Sequence, residues 1–167
     1  GDDQLHPVAK VVVVGRTDER RLERRLLVEY ETLVDEILGK LAPHNHALAV
    51  EIVRVPLGPE LEYDAGALRR ARSESGAAVT IACSPNNPTG AVASREDLAA
   101  VAEVCREKDL AVVSDEIYEK MVYGGARNTC FASLSDDARG RTVTVGGVSK
   151  TYAMTGWRIG WAAGPKA

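Results

Sequence analysis

The chain has 167 residues, 45% hydrophobic and 27% charged, with a net charge of −3. A chain of this length forms one domain, and burying roughly 68–70% of its unfolded surface gives it a sizeable core. The mild negative charge gives no electrostatic reason for a nucleic acid or an anionic membrane to be a partner.

The N-terminal stretch GDDQLHPVAKVVVVG starts acidic and holds only a short apolar run, so it does not read as a secretory signal. No segment approaches the ~18 apolar residues of a membrane span. Cys83, Cys105 and Cys130 show neither CxxC spacing nor a disulfide framework, which favours a reducing compartment. The expected location is cytoplasmic.

In chain order, KVVVV (10–14) is a β-branched run and reads as a buried strand. A helix follows over 17–41, with Thr17 as its cap and Asp18 and Glu19 in its first turn. Leu22, Leu26, Tyr30, Leu33, Ile37 and Leu41 recur at helical spacing. The arginines at 20, 21, 24 and 25 alternate with acids, as on a solvated face. Pro43 ends this helix, and His44 and His46 lack the further ligands that a zinc site needs, so no metal is expected. The run HALAVEIVRV (46–55) is helix or strand; periodicity does not separate the two. Pro56, Gly58 and Pro59 mark the expected boundary between a segment 1–57 and a segment 58–167.

Beyond the boundary, helix and strand alternate. Asp64 caps a short helix through Arg72, and Ser94 caps another to about Lys108 with Asp97 at the reciprocal position. Strands are expected at 78–84, 110–114, 141–147 and 157–164. The fold class is therefore α/β, a mostly parallel sheet with flanking helices. Three polar groups follow three strands: Asn87 in SPNNPTG, Asp115 in SDEIY, and Lys150 in GGVSKTYAMTGWRIGWAAGP. Open α/β sheets place their ligand sites at these strand ends. Each group also has an ordinary reading. SPNNPTG makes a turn on its own, Asp115 can cap a helix, and Lys150 can be a surface lysine. Tyr118 and Tyr152 can be packing residues, and Trp157 and Trp161, four apart, read as core.

Taken together and in this order, the three motifs resemble the central part of a class I/II pyridoxal-phosphate-dependent aminotransferase of the aspartate-aminotransferase-like, fold-type-I family, over about residues 58–167. The resemblance implies that Lys150 carries pyridoxal 5'-phosphate as a Schiff base and then acts as a base. It implies that Asp115 keeps the pyridine nitrogen protonated, so that the ring draws electrons. Tyr118 and Asn87 match the residues that contact the ring oxygen, and Arg158 matches the arginine that holds the phosphate, a role suited to its forked guanidinium. Gly147 stands where many members have a serine phosphate ligand, leaving a backbone N–H in its place.

The family's upstream phosphate-binding turn, its stacking aromatic residue and its substrate-gripping arginine are not identifiable here. The resemblance therefore implies transamination between an amino acid and a 2-oxo acid, by a chain that is incomplete, weak or inactive on its own, and that self-associates or forms a homo-oligomer. The alternative is a non-catalytic cofactor-binding or interaction module. Residues 19–56 resemble instead the C-terminal helical tail of indolepyruvate ferredoxin oxidoreductase. That resemblance implies a first half of different origin, joined as a fusion.

Overall fold

The computed structural model describes residues 9–14 and 50–166. The expected helix over 17–41, with its Thr17 cap and arginine-rich face, and the pair His44 and His46 lie outside the described residues.

Among the described residues six strands form one sheet: β1 (Ala9–Val14), β2 (Val50–Val55), β3 (Val79–Cys83), β4 (Ala111–Asp115), β5 (Thr142–Gly147) and β6 (Gly160–Ala163). Their order is β2-β1-β3-β4-β5-β6. The first five are parallel, and β6 runs antiparallel to β5. The α/β class and the mostly parallel sheet are as expected. The ambiguous run 46–55 resolves as a strand over Val50–Val55, where β1 supplies a full ladder of partners from Ala9↔Val50 to Val14↔Val55. Both early strands thus share the sheet of the four later ones.

Helix α1 (Ala65–Ser75) starts where Asp64 accepts from the Ala67 amide at 2.8 Å. Such a cap contributes about 1 kcal/mol. The helix runs three residues past the expected Arg72, because Ser73 and Ser75 donate to the carbonyls of Arg69 and Ala71 and so stay within the helix. Gly76 then ends it at φ 72°, a left-handed turn that suits glycine. Helix α2 (Arg95–Glu107) starts at Ser94, whose hydroxyl accepts from the Asp97 amide at 3.0 Å. A short α3 (Asp136–Arg141) precedes β5, and the one-turn α4 (Val148–Thr151) follows it.

Helices α1, α2 and α3 each link strands taken in the same direction across the sheet. Right-handed crossovers therefore put all three on one face, and α1 packs on α2 and α2 on α3. Between them and the sheet lie Val55, Leu68, Leu98, Val101, Val104, Leu110, Val112 and Phe131, all fully buried. Each large member contributes about 1.5–3 kcal/mol. The central strand β3 is buried on both sides: Thr80 and Ile81 are neighbours, face opposite ways, and are both inaccessible. Strand β6 is the reverse, with all four residues exposed. Trp157 and Trp161, expected in the core, are 68% and 46% exposed. The reason is position: they belong to an edge strand and the turn before it, where no described element covers them.

Candidate active site

The loop after β3 is shaped by its own side chains. The Asn86 amide donates to the Ala91 carbonyl, the Gly90 amide donates to the Asn86 carbonyl, and Thr89 Oγ1 donates to Asn86 Oδ1. Gly90 sits at φ 73°, open to glycine. Both X–Pro bonds of the loop, Ser84–Pro85 and Asn87–Pro88, are cis. Ser84 Oγ accepts from the Ala93 amide and ties the loop's exit to its entrance. Asn86 is thereby committed to the loop, and Asn87 is left to reach outward.

At the end of β4, the Asp115 carboxylate accepts from the Ile117 amide at 3.1 Å, a side-chain-to-backbone bond that turns the chain out of the strand. Tyr118 follows on this turn. Asn87 Nδ2 donates to the Tyr118 hydroxyl at 3.2 Å. Lys150, exposed on α4, places Nζ 5.7 Å from the centre of the Tyr118 ring, within cation–π range. The Tyr118 side chain is thus the common neighbour of Asn87 and Lys150, which come from the ends of β3 and β5. Asp115 lies level with them, paired in register with Cys83 on one side and Val145 on the other. Asp115 is half-buried, and burial pushes its carboxyl above the usual range, with the nearby Glu116 adding to the rise. The Ile117 amide acts the other way.

Arg158 is exposed, and its guanidinium donates to the Thr155 carbonyl at 3.2 Å. Its backbone is left-handed, φ 52°, a conformation that costs a non-glycine residue on the order of 1–2 kcal/mol. Among the described residues no hydrogen bond joins it to Asn87, Tyr118 or Lys150. Gly147 has a packing reason to be glycine. A Cβ there would meet Ile117 Cδ1 at 2.9 Å and the Ile159 carbonyl at 3.1 Å. At Gly146 a Cβ would strike the Trp161 indole at 2.7 Å. The two glycines let β6 and the Trp161 ring close against β5.

Two further residues of this region were not singled out by the sequence. Glu116 is buried, and its carboxylate accepts from Ser114 Oγ at 2.9 Å and from the Phe131 amide at 3.0 Å. Tyr63 is buried, and its hydroxyl both donates to the Cys83 carbonyl and accepts from the Cys83 amide, each at 2.9 Å. The sequence does carry a sign for Tyr63. It stands just before the Asp64 cap, the place of a hydrophobic residue that packs on the fourth helical position, here Leu68. That pattern predicts the ring and is silent on the hydroxyl.

Residues 46–167 match the family described as aminotransferase class I and II. The chain belongs to this family. The match begins at residue 46, upstream of the expected boundary at 58. The chain is 52% identical over 97 residues to an aspartate aminotransferase of Bacillus subtilis, covering 58% of the chain and 24% of that protein. It is 38% identical over 154 residues to a probable N-succinyldiaminopimelate aminotransferase of Mycobacterium tuberculosis, covering 81% of the chain and 38% of that protein. A solved structure of the N-succinyldiaminopimelate aminotransferase from Mycobacterium tuberculosis superposes with TM-score 0.74 and 34% identity, over 95% of this chain and 36% of that one. The chain thus spans between about a quarter and two fifths of the length of these relatives. Residues 9–58 also match a family of unknown function, DUF6537.

Proposed function

We propose that this chain forms the pyridoxal-phosphate-binding part of an aminotransferase that moves an amino group between an amino acid and a 2-oxo acid. The observation that carries this reading is the meeting of Asn87 and Lys150 at Tyr118, at 3.2 Å and 5.7 Å, beside the Asp115 carboxylate. Class I and II aminotransferases use pyridoxal phosphate. The donor set fits that group. Asp115 is a half-buried carboxylate raised by burial, and among the described residues no cation pairs with it. A protonated ring nitrogen is the counterpart that would relieve it.

Pyridoxal phosphate, when bound, supplies an aldehyde for an amine to hold and a ring that draws electrons. The chain does the rest. Lys150 would hold the aldehyde through Nζ and would be the base for the proton at the substrate's α carbon. Asp115 holds a proton on the pyridine nitrogen by its negative charge. The Tyr118 hydroxyl and Asn87 Nδ2, already joined to each other, orient the ring through its oxygen. Arg158 would take the phosphate by charge and by its fork of N–H donors, and Gly147, without a side chain, would offer a backbone N–H to that group.

The test is direct. Pyridoxal phosphate added to the chain is expected to give a visible absorption band, and borohydride followed by peptide mapping is expected to place the label on Lys150. Label spread over surface lysines rejects the site. Binding without transamination of aspartate, alanine or aromatic amino acids with 2-oxoglutarate assigns the chain to the non-catalytic module instead.

Three further expectations belong to this reading. Self-association is supported by β6, an edge strand with every residue exposed, and a monodisperse monomer in light scattering overturns it. A reducing, cytoplasmic location is supported by Cys105 and Cys130, which form no disulfide, and fractionation checks it. No helix among the described residues is long and apolar enough to cross a membrane. A separate origin for the first half, akin to the indolepyruvate ferredoxin oxidoreductase tail over 19–56, is supported by the second family match over 9–58; failure to pull down any subunit of such an oxidoreductase counts against a shared partner.

A further inference from the structure

Strand β3 changes neighbours as it leaves the sheet. Its ladder to β1 runs from Val11↔Val79 to Val13↔Ile81 and stops two residues short of Cys83. In a parallel strand the N–H and C=O of one residue point to the same side, and the next residue's point to the other. The Ser84 amide donates to the Asp115 carbonyl at 3.3 Å, toward β4. The N–H and C=O of Cys83 therefore point toward β1, past the end of its ladder. The Tyr63 hydroxyl meets both of them at 2.9 Å. One phenol thus continues the ladder by one rung.

This rung sits at a sensitive place. Cys83 is the register partner of Asp115, and Ser84 begins the loop that carries Asn87. It also lies where the strand order reverses, since the chain passes from β1 outward to β2 and then back across to β3. Ligand crevices of open α/β sheets form at such points. The hydroxyl is held in a dry setting: burial pushes Tyr63 above the usual phenol range, with Cys83 and then Asp115 adding to the rise.

We propose that Tyr63 is a positioning residue for the cofactor site: its hydroxyl fixes the exit of β3 and, through Cys83 and Ser84, the loop that presents Asn87 and the strand end that presents Asp115. This inference rests on the proposed pyridoxal-phosphate reading for its functional half and on geometry alone for its structural half. Phenylalanine at 63 keeps the ring and the packing but leaves two buried backbone groups without this partner.

The experiment compares Tyr63→Phe with Val104→Ala, a core change in the last turn of α2, which leads into the start of β4 rather than the strand ends that carry the site. Amide hydrogen exchange on the cofactor-free chain reads Ser84, Asn86 and Gly90, whose N–H groups are all bonded. Pyridoxal-phosphate affinity is read from the visible absorption band. Tyr63→Phe is expected to speed exchange at these three amides about tenfold and to weaken cofactor binding about tenfold, the size of one lost buried hydrogen bond. Val104→Ala is expected to lower stability without a selective change in either. Equal behaviour of the two variants overturns the proposal, as does faster exchange with unchanged affinity. Should the unaltered chain take up no cofactor, the functional reading falls, and the exchange comparison still decides whether Tyr63 holds the loop. Fluorotyrosine at 63 gives a milder second variant if Tyr63→Phe does not fold.

Discussion

Strands β3 and β4 lie in the middle of the sheet, where Thr80, Ile81, Val112 and Val113 are buried, while all four residues of β6 are exposed. The candidate site straddles this divide. Asn87, Asp115 and Tyr118 hang from the buried strands; Asn86, Ser84 and Tyr63 brace the end and loop of β3, and Glu116 ties the turn after β4 to Ser114 and Phe131. Lys150 and Arg158 hang from β5 and β6, on a one-turn helix and a left-handed turn with local contacts. Ring-orienting groups benefit from rigidity because their task is geometric. In the proposed function Lys150 takes hold of one partner and releases it for another, and room to move would serve that role. The comparison also separates two kinds of damage: substitutions of core residues on the buried side are expected to act through folding, and those of exposed side chains to leave folding nearly unchanged.

The sharpest way to break the comparison is Lys150→Ala. Borohydride labelling by pyridoxal phosphate at this site is expected to vanish entirely, while urea unfolding shifts by less than about 0.5 kcal/mol, as for other exposed positions. Phe131→Ala does the opposite. Its side chain is 1% exposed, and truncation is expected to cost about 3–5 kcal/mol in urea unfolding. Next in size is Glu116→Ala. It strips the acceptor from Ser114 Oγ and the Phe131 amide, and leaving such buried donors unpaired costs about 1–3 kcal/mol. Equal losses for Glu116→Ala and for an exposed acid such as Asp136→Ala would sink the claim that the carboxylate ties the turn after β4 to Phe131.

A smaller effect is expected from pH. Burial, opposed by the Ile117 amide and reinforced by Glu116, raises the Asp115 carboxyl in the folded chain. A raised carboxyl favours the protonated form on folding, so its contribution is fully present below the unfolded carboxyl's pKa and is lost as pH rises through the folded one. The cofactor-free chain should therefore lose stability across that interval, and Asp115→Asn should flatten the loss in thermal unfolding followed against pH. A slope unchanged by Asp115→Asn would show that another group is responsible. Trp157→Ala should have the smallest effect of all, below about 0.5 kcal/mol, since the indole is 68% exposed.

How much of this was legible depended on distance along the chain. The Asp64 and Ser94 caps and strands β3, β4 and β5 rest on local patterns and appear where those patterns put them. Asn87, Asp115, Tyr118 and Lys150 could be placed at strand ends because motif and element coincide. The order β2-β1-β3 could not be read, since pairing between distant segments leaves no local mark, and Val50–Val55 was ambiguous until β1 lay beside it. The Trp157 and Trp161 spacing misled for the same reason: it reports periodicity, and exposure depends on whether a neighbour covers the strand. The Tyr63 hydroxyl was invisible because its partner is twenty residues away, where β1 stops short.

The twin asparagines of the β3 loop carry one more consequence, for chemical ageing. An asparagine deamidates when the backbone nitrogen of the next residue attacks its side-chain amide. Asn87 is followed by Pro88, whose nitrogen bears no hydrogen, so the residue that reaches Tyr118 is closed to this route. Asn86 is followed by an ordinary amide, and only its hydrogen bonds from Thr89 and within the loop slow the attack. On long storage the chain should gain its first aspartate of this loop at 86 and keep 87 intact, an order that peptide mapping reads directly. The loop would then loosen around a contact group that is itself undamaged.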